Sequence, residues 1–450
     1  MAQLAETPYP PLSGNDEVLF HPIERTTRGF YITVAILLFF TVMMVVAYIT
    51  QLREGLGVTG LTIPVYWGIY ITNFVFFIGI SHAGTLISAI LRICHAEWRR
   101  SITRAAEVIT VMVLLFGAGS VITDLGRPDR ALNVILHANF RSPLLWDVCS
   151  ITVYMTGSVI YLYLPLIPDI AMLRDRGKKW QWLYRLLAFG WSGTERQHRL
   201  LEKGIAVMAI LVIPIAISVH TVVSWVFAMT VQPMWHSTIF GPYFVVGAIF
   251  SGIAALLIAL AIIRKVYHLE EYLKEIHFRN LGQLLLVMSL LWFYFTFAEH
   301  LTTFYGNEPE EMHILMLKLY GPYSLLFWAM VIFCFIIPVG ILGIPKWRNV
   351  TGTITASAFI VVGMWLERFI IVVPSLANPR LMPSQGIYLP SWVEIFISLG
   401  FFSTFILFYV LFTKFFPIVS IWEVKEGREK SLQEVHERVR TYIPHPLKEG

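Results

Sequence analysis

Residues 121–147 read VITDLGRPDRALNVILHANFRSPLLWD, and seven ionisable side chains, Asp124, Arg127, Asp129, Arg130, His137, Arg141 and Asp147, crowd into them between long apolar runs. If the flanking runs cross a bilayer, these groups sit where lipid gives way to water on one face of the membrane. A charge there ionises cheaply yet still acts on something dissolved in the lipid.

The rest of the chain supports that premise. Of its 450 residues 56% are hydrophobic and only 14% charged, and the mean hydropathy is +0.67, so there is too little polar surface to cover a soluble globule. The net charge of +5 is explained by membrane topology, and no nucleic-acid partner is implied. Cys94, Cys149 and Cys334 show no C-x-x-C or C-x-x-C-H spacing, which argues against an iron–sulfur cluster or covalent c-type haem held by this chain. The first 28 residues are polar and proline-containing, without the basic and apolar regions of a cleaved signal, so the first helix is expected to direct insertion.

With about 20 apolar residues per span, runs fall at 29–50, 64–93, 105–123, 143–166, 204–230, 241–263, 283–303, 322–344, 351–373 and 391–412. The expected fold is therefore an all-α polytopic membrane protein of about ten transmembrane helices. Its transmembrane domain covers 29–415, between tails 1–28 and 416–450. HANFRSPLLWDV before helix four is laid out like LKLYGPYSLLFWAM before helix eight. That likeness suggests that helices 2–5 and 6–9 form two four-helix bundles, with helices 1 and 10 at the edges. The tails and the loops on their side carry about 27 Lys and Arg against about 6 on the other. Both termini are thus expected in the cytoplasm, and the 121–147 stretch faces outward. The basic connections at 174–203 and 264–279 are read as inside anchors, as amphipathic surface helices.

An ionisable residue within a span costs about 2.5–3.5 kcal/mol on insertion scales, so each needs a partner, a cavity or a task. His82, Asp147, His220, Glu299, His300, Glu367, Arg368 and Glu394 are of this kind. All but His82 fall in the outer half. His82 sits mid-span beside Gly79 and Gly84, whose small size admits a neighbouring helix or a flat ring; the plain alternative is a histidine hydrogen-bonded to a neighbouring helix. Glu367 and Arg368 are adjacent, point in different directions on a helix, and are expected to form separate interhelical pairs.

Oxidising a lipid-soluble quinol removes two electrons and two protons, which requires a base near each hydroxyl and a proton exit to water. Histidine, with a free pKa of about 6.5, and a nearby carboxylate suit that task. Arg127, Arg130 or Arg141 could keep the carboxylate ionised, and Trp67, Phe76, Phe77 and Gly79 could wall a slot for the ring. The competing local reading has Asp124 cap the break after helix three, while Arg127 and Arg130 satisfy carbonyls or lipid headgroups.

FIGISHAGTLISAILR, DLGRPDRALNVILHANFRSPLLWD, VHTVVSWVFA and MWLERFIIVVPS together resemble the NrfD/PsrC-like family, the polysulfide-reductase membrane subunits. With about ten spans and SHAGT in helix two, the chain looks most like the quinol-binding core membrane subunit of bacterial alternative complex III. The resemblance implies a multi-pass subunit of the bacterial inner membrane that binds a quinol, menaquinol by expectation, near the outer face and holds no haem or iron–sulfur cluster itself. It implies partners: a peripheral iron–sulfur subunit and c-type cytochrome subunits on the outer face, and a paralogous NrfD-like membrane subunit. His82 and Asp124 carry over as quinol-site or proton-path residues, followed by His137, Arg141 and Asp147, with Gly79, Phe76, Trp67 and Arg127 around the ring. Proton translocation is suggested for such complexes, and its path is expected at Glu299, His300, Glu367 and Arg368, with His220 and Glu394. No metal site is expected. Two other functions stay open: a b-type cytochrome subunit using His82, His220 and His300, and a secondary transporter, against which the spans lack paired Gly/Pro breaks at the midplane although Pro214 and Pro338 sit within helices five and eight.

Overall fold

The computed structural model describes residues 14–177, 180–381 and 386–429, the side chains of 14–16 and 83 excepted. The expected tails lie partly beyond them, and the two termini lie outside the described residues. Among these residues ten helices are long and apolar enough to cross a membrane: α1 (Arg28–Glu54), α2 (Ile69–Ile93), α3 (Thr103–Asp124), α4 (Pro143–Asp175), α5 (Glu195–Ala228), α6 (Phe240–Val266), α7 (Glu275–Gly306), α8 (Ser324–Leu342), α9 (Val350–Ala377) and α10 (Trp392–Phe415). The chain is an all-α polytopic membrane protein.

Packing follows connectivity. α2 lies along α3, α3 touches α4, α4 packs on α5, and α5 returns to α2; α6, α7, α8 and α9 close a second ring in the same way. The rings are joined where α6 lies against α2 and α5, and where α9 reaches α2. α1 pairs with α10, and α10 leans on α3 and α2. Burial reflects this order: the most apolar window of α2 is 88% buried and that of α1 only 11%. The central helix therefore meets almost no lipid, and its polar groups must find partners within the protein.

Helix limits are set by caps and not by hydropathy. The second apolar run begins at Pro64, but α2 starts only at Ile69, because the amide of Gly60 is held by Glu394 Oε2 at 2.6 Å and the amide of Ile69 by the Tyr388 hydroxyl at 2.8 Å. At the other end of the scale, α5 starts at Glu195, well before its apolar run, under a capping box of Thr194 and Gln197. α8 contains a five-residue π turn, Ile332–Ile336, just before Pro338. The carbonyl of Cys334 there accepts from Ser289 Oγ at 2.6 Å.

Glycine sets the closest approach of the first ring. A Cβ on Gly84 would lie 2.0 Å from the carbonyl oxygen of Ala106 and 2.2 Å from Thr110 Oγ1, and the Gly84 amide donates to that same hydroxyl at 3.0 Å. Gly84→Val must push α2 off α3; overpacking of this kind costs about 1–3 kcal/mol. We expect a clear fall in the thermal midpoint of the purified protein, whereas an unchanged midpoint would show that the two backbones are not in contact there.

Candidate functional site

The two ends of the bundle are distinguished by their sequences: the DLGRP end, which carries 125–142, and the basic end, which carries 95–102 and 176–194. At the DLGRP end Asp124 closes α3 and Asp147 lies in the first turns of α4. Each has a buried carboxylate oxygen, Oδ1, with no hydrogen-bond partner. Nearby, Gln51 Nε2 donates to the carbonyl of Thr123 at 2.8 Å, and Gln51 Oε1 accepts from the Tyr70 hydroxyl at 2.6 Å. This ties α1, α2 and the end of α3 together beside Asp124. A buried acceptor left open is the exception in folded proteins, and two of them lie at this same end of neighbouring helices.

The other expected residues of this end are used differently. Arg127 binds Asp129 two residues on, at 3.0 Å, with both side chains mostly exposed. It does not hold Asp124, because the loop turns its side chain outward, and in exposed Asp129 the guanidinium holds the carboxyl below its usual range. His137 and Arg141 are exposed on the surface of the same loop. Glu394 belongs to structure: its carboxylate accepts from Gly60 N, Tyr388 Oη at 2.7 Å and Ser391 N at 2.9 Å, capping α10 and pinning the segment before α2. The expected ring slot is also divided. Phe76 and Phe77 meet Phe402 of α10, Trp67 stacks on Trp235 at 6.1 Å, and Gly79 faces Ser251 of α6 and the guanidinium of Arg368.

His82 stands apart from Asp124. The carbonyl of the preceding residue, Ser81, accepts from Thr110 at 2.5 Å, and Thr110 is fourteen residues from Asp124 along α3, a rise of about 21 Å. The two therefore belong to different clusters and not to one site. His82 Nε2 donates to the carbonyl of Ala216 at 2.8 Å, leaving Nδ1 buried and open, and its ring lies 4.0 Å from that of His220. Both nitrogens of His220 are buried without partners. Rings in direct contact leave no place between them for a macrocycle, so this pair does not fit as axial ligands of one haem.

From these histidines a chain of polar groups runs both ways. Toward the basic end, Thr85 and the Tyr154 hydroxyl share a 2.5 Å hydrogen bond. One turn on, Ser88 donates to Glu107 at 2.7 Å and meets the Tyr161 hydroxyl at 3.2 Å; one turn further, Arg92 pairs with Glu423. Residues 421–429 form a helix that closes this mouth. Its first amides, Ile421 and Trp422, donate to Asp169 at 3.1 Å each, and Asp169 is paired with buried Arg104. Glu423 lies outside the spans, and Arg92 and Arg99 overcome burial and hold its carboxyl below its usual range.

Toward the DLGRP end the chain enters the second ring. The Arg368 guanidinium lies against Gly79 and Gly247, one turn from His82 along α2, and pairs with its neighbour Glu367. The expected separate interhelical pairs are not formed: among the described residues no other acid reaches Arg368, so its long side chain folds back, while Glu367 also accepts from Trp292 Nε1 at 2.5 Å. Beyond Glu367 is a cavity of about 30 Å³ bordered by Tyr243, Glu299, His300, Lys318 and Glu367, room for about one water molecule. Glu299 accepts from Ser237 Oγ at 2.5 Å; His300 Nδ1 donates to the Thr296 carbonyl at 2.7 Å and its Nε2 is open. Among the described residues no group of three or more His, Cys, Asp or Glu is placed to hold a metal ion.

Sequence reasoning missed several of these groups. Glu107 carries a signal, since an acid two residues inside an apolar run is as costly as those singled out. Asp169 and Lys318 carry none: they lie just outside the runs, and only the length of α4 and the fold of the helix Pro309–Leu319 bury them.

A polytopic helical bundle with a polar chain through its interior defines a multi-pass membrane protein. The particular family follows from comparison: the polysulphide reductase NrfD family matches residues 57–379, and the chain belongs to it. The chain is similar to a protein provisionally named as a dimethyl sulfoxide reductase membrane subunit, from Halobacterium salinarum, 26% identical over 83% of this chain and 87% of that one. It is also similar to a selenate reductase subunit of Mesobacillus selenatarsenatis, 24% identical over 91% and 99%. The Hdr-like menaquinol oxidoreductase integral membrane subunit of Archaeoglobus fulgidus is 23% identical over 92% of this chain and 100% of its own.

The Glu367–Arg368 pair gives a direct test of the interior. Glu367→Gln leaves a buried guanidinium without its anion, at a cost of about 3–5 kcal/mol. Adding Arg368→Met should recover most of the lost thermal stability of the purified protein; a double variant no more stable than Glu367→Gln would show that the two do not act as a pair.

Proposed function

We propose that this chain is the quinol-binding membrane subunit of a respiratory electron-transfer complex of the alternative complex III type. The observation that carries it is the pair of buried, unpartnered carboxylate oxygens of Asp124 and Asp147 at the DLGRP end. Quinol supplies two electrons and two protons. Asp124 and Asp147 would hold its hydroxyls and accept their protons, with Tyr70 and Gln51 fixing the end of α3 beside them. His137 and Arg141, exposed on the loop above, meet the partner that takes the electrons, an iron–sulfur subunit passing them to c-type haems. The name of the Archaeoglobus relative, a menaquinol oxidoreductase subunit, supports menaquinol as the donor.

On this reading the DLGRP end faces outward, both termini lie in the cytoplasm, and the membrane is the bacterial inner membrane. The surplus of Lys and Arg on the opposite connections supports that orientation. A paralogous membrane subunit lies alongside. The interior chain, from Glu423, Glu107 and Tyr154 through His82 and His220 to Arg368, Glu367, His300 and Glu299, is a proton path separate from the quinol site, and Glu394 stands outside it.

Asp124→Asn in the assembled complex should lower kcat/KM for quinol oxidation by about 10²-fold, the scale of a lost general base, while exposed Asp129→Asn changes it less than twofold. Normal turnover in both Asp124→Asn and Asp147→Asn would remove these carboxylates from the site and the proposal with them.

A further inference from the structure

The helix Pro309–Leu319 lies at the DLGRP end over the second ring, packed on α7, α8 and α9. Its inward face consists of Ile314, Leu315 and Lys318. An apolar face would be the cheaper solution, yet Lys318 is only 5% exposed and borders the cavity of about 30 Å³ beneath it. Among the described residues it has no ion pair, although structural cations in an interior are ordinarily paired. Glu299 and His300 face the cavity from α7, Glu367 from α9 with Arg368 behind it, and Tyr243 from α6; α8 contributes only Phe327 and Met330. The open Nε2 of His300 is at the same place.

We propose that Lys318 is the terminal proton carrier of the interior chain, its ammonium releasing a proton to water at the DLGRP end and the resulting amine taking one from Glu299 or His300 across the cavity. Each cycle breaks one N–H bond and remakes one, and no electron moves. The inference rests on reading the interior chain as a proton path. Burial brings the ammonium down from the ordinary lysine range to about 8, against the opposing pull of Glu299, so both forms are accessible near neutral pH. Arginine in its place would keep the charge and approximate size but could not let go of its proton.

The test is the intact complex in sealed vesicles, driven by a soluble quinol analogue, with protons appearing on the DLGRP side counted per electron. Lys318→Arg should lower that ratio toward the one proton per electron that the quinol itself releases at this end, and Lys318→His, which titrates, should keep more of the excess than Lys318→Arg. The ratio in the unaltered complex should fall as pH rises through about 8, where the amine is no longer reloaded, and this break should move to lower pH in Lys318→His. A Lys318→Arg complex with the unaltered ratio, or a flat wild-type profile through that range, overturns the assignment. His220→Leu separates the two levels: a lowered ratio there with an unaffected Lys318→Arg removes Lys318 alone, and an unaffected ratio in both removes the whole proton path.

Discussion

The constraint on which this molecule depends is that α2 is surrounded by protein. A helix that faces lipid need only be apolar, but a helix at the centre can carry polar side chains wherever a neighbour answers them. α2 places Gly79, His82, Thr85, Ser88 and Arg92 along one stripe, and each is met: the Arg368 guanidinium at Gly79, the Ala216 carbonyl and His220 at His82, Tyr154 at Thr85, Glu107 and Tyr161 at Ser88, Glu423 at Arg92. The partners come from α9, α5, α4, α3 and the segment after α10. The polar stripe of one helix thus fixes the positions of most others.

That arrangement separates two kinds of chemistry. Open carboxylate oxygens lie at the rim, on α3 and α4. The histidines, tyrosines and the buried ion pair lie inside, reached through side chains and not through lipid. A separation of about 21 Å along α3 keeps the open carboxylate of Asp124 apart from the interior histidines.

Charge in the interior is held by short-range pairing. Arg104 and Asp169 are almost fully buried, and Asp169 also receives two backbone amides of the helix at 421–429, so that this segment closes the basic end. In the second ring Glu367 and Arg368 satisfy one another although they are neighbours on one helix. Each pair is costly to assemble and more costly to break, since the survivor is an unpaired buried charge. Lys318 differs from these in having no ion-pair partner among the described residues.

The sequence by itself determined the ten spans, the all-α class and the family, because the bilayer imposes a length and an apolarity that composition must meet. It also marked most of the interior charges, since each violates that apolarity. Which of them stand together was decided only by tertiary structure. His82 and Asp124 come from two separate motifs and stand at different levels of the bundle, Arg127 turns out to Asp129, and Glu394 is absorbed by a helix cap. Asp169 and Lys318 lie outside every apolar run and become interior only because α4 extends past its run and a surface helix folds over the second ring. Hydropathy measures the cost of a residue in lipid, and it is blind to a side chain enclosed by other helices; that enclosure is a property of packing between segments distant in the chain.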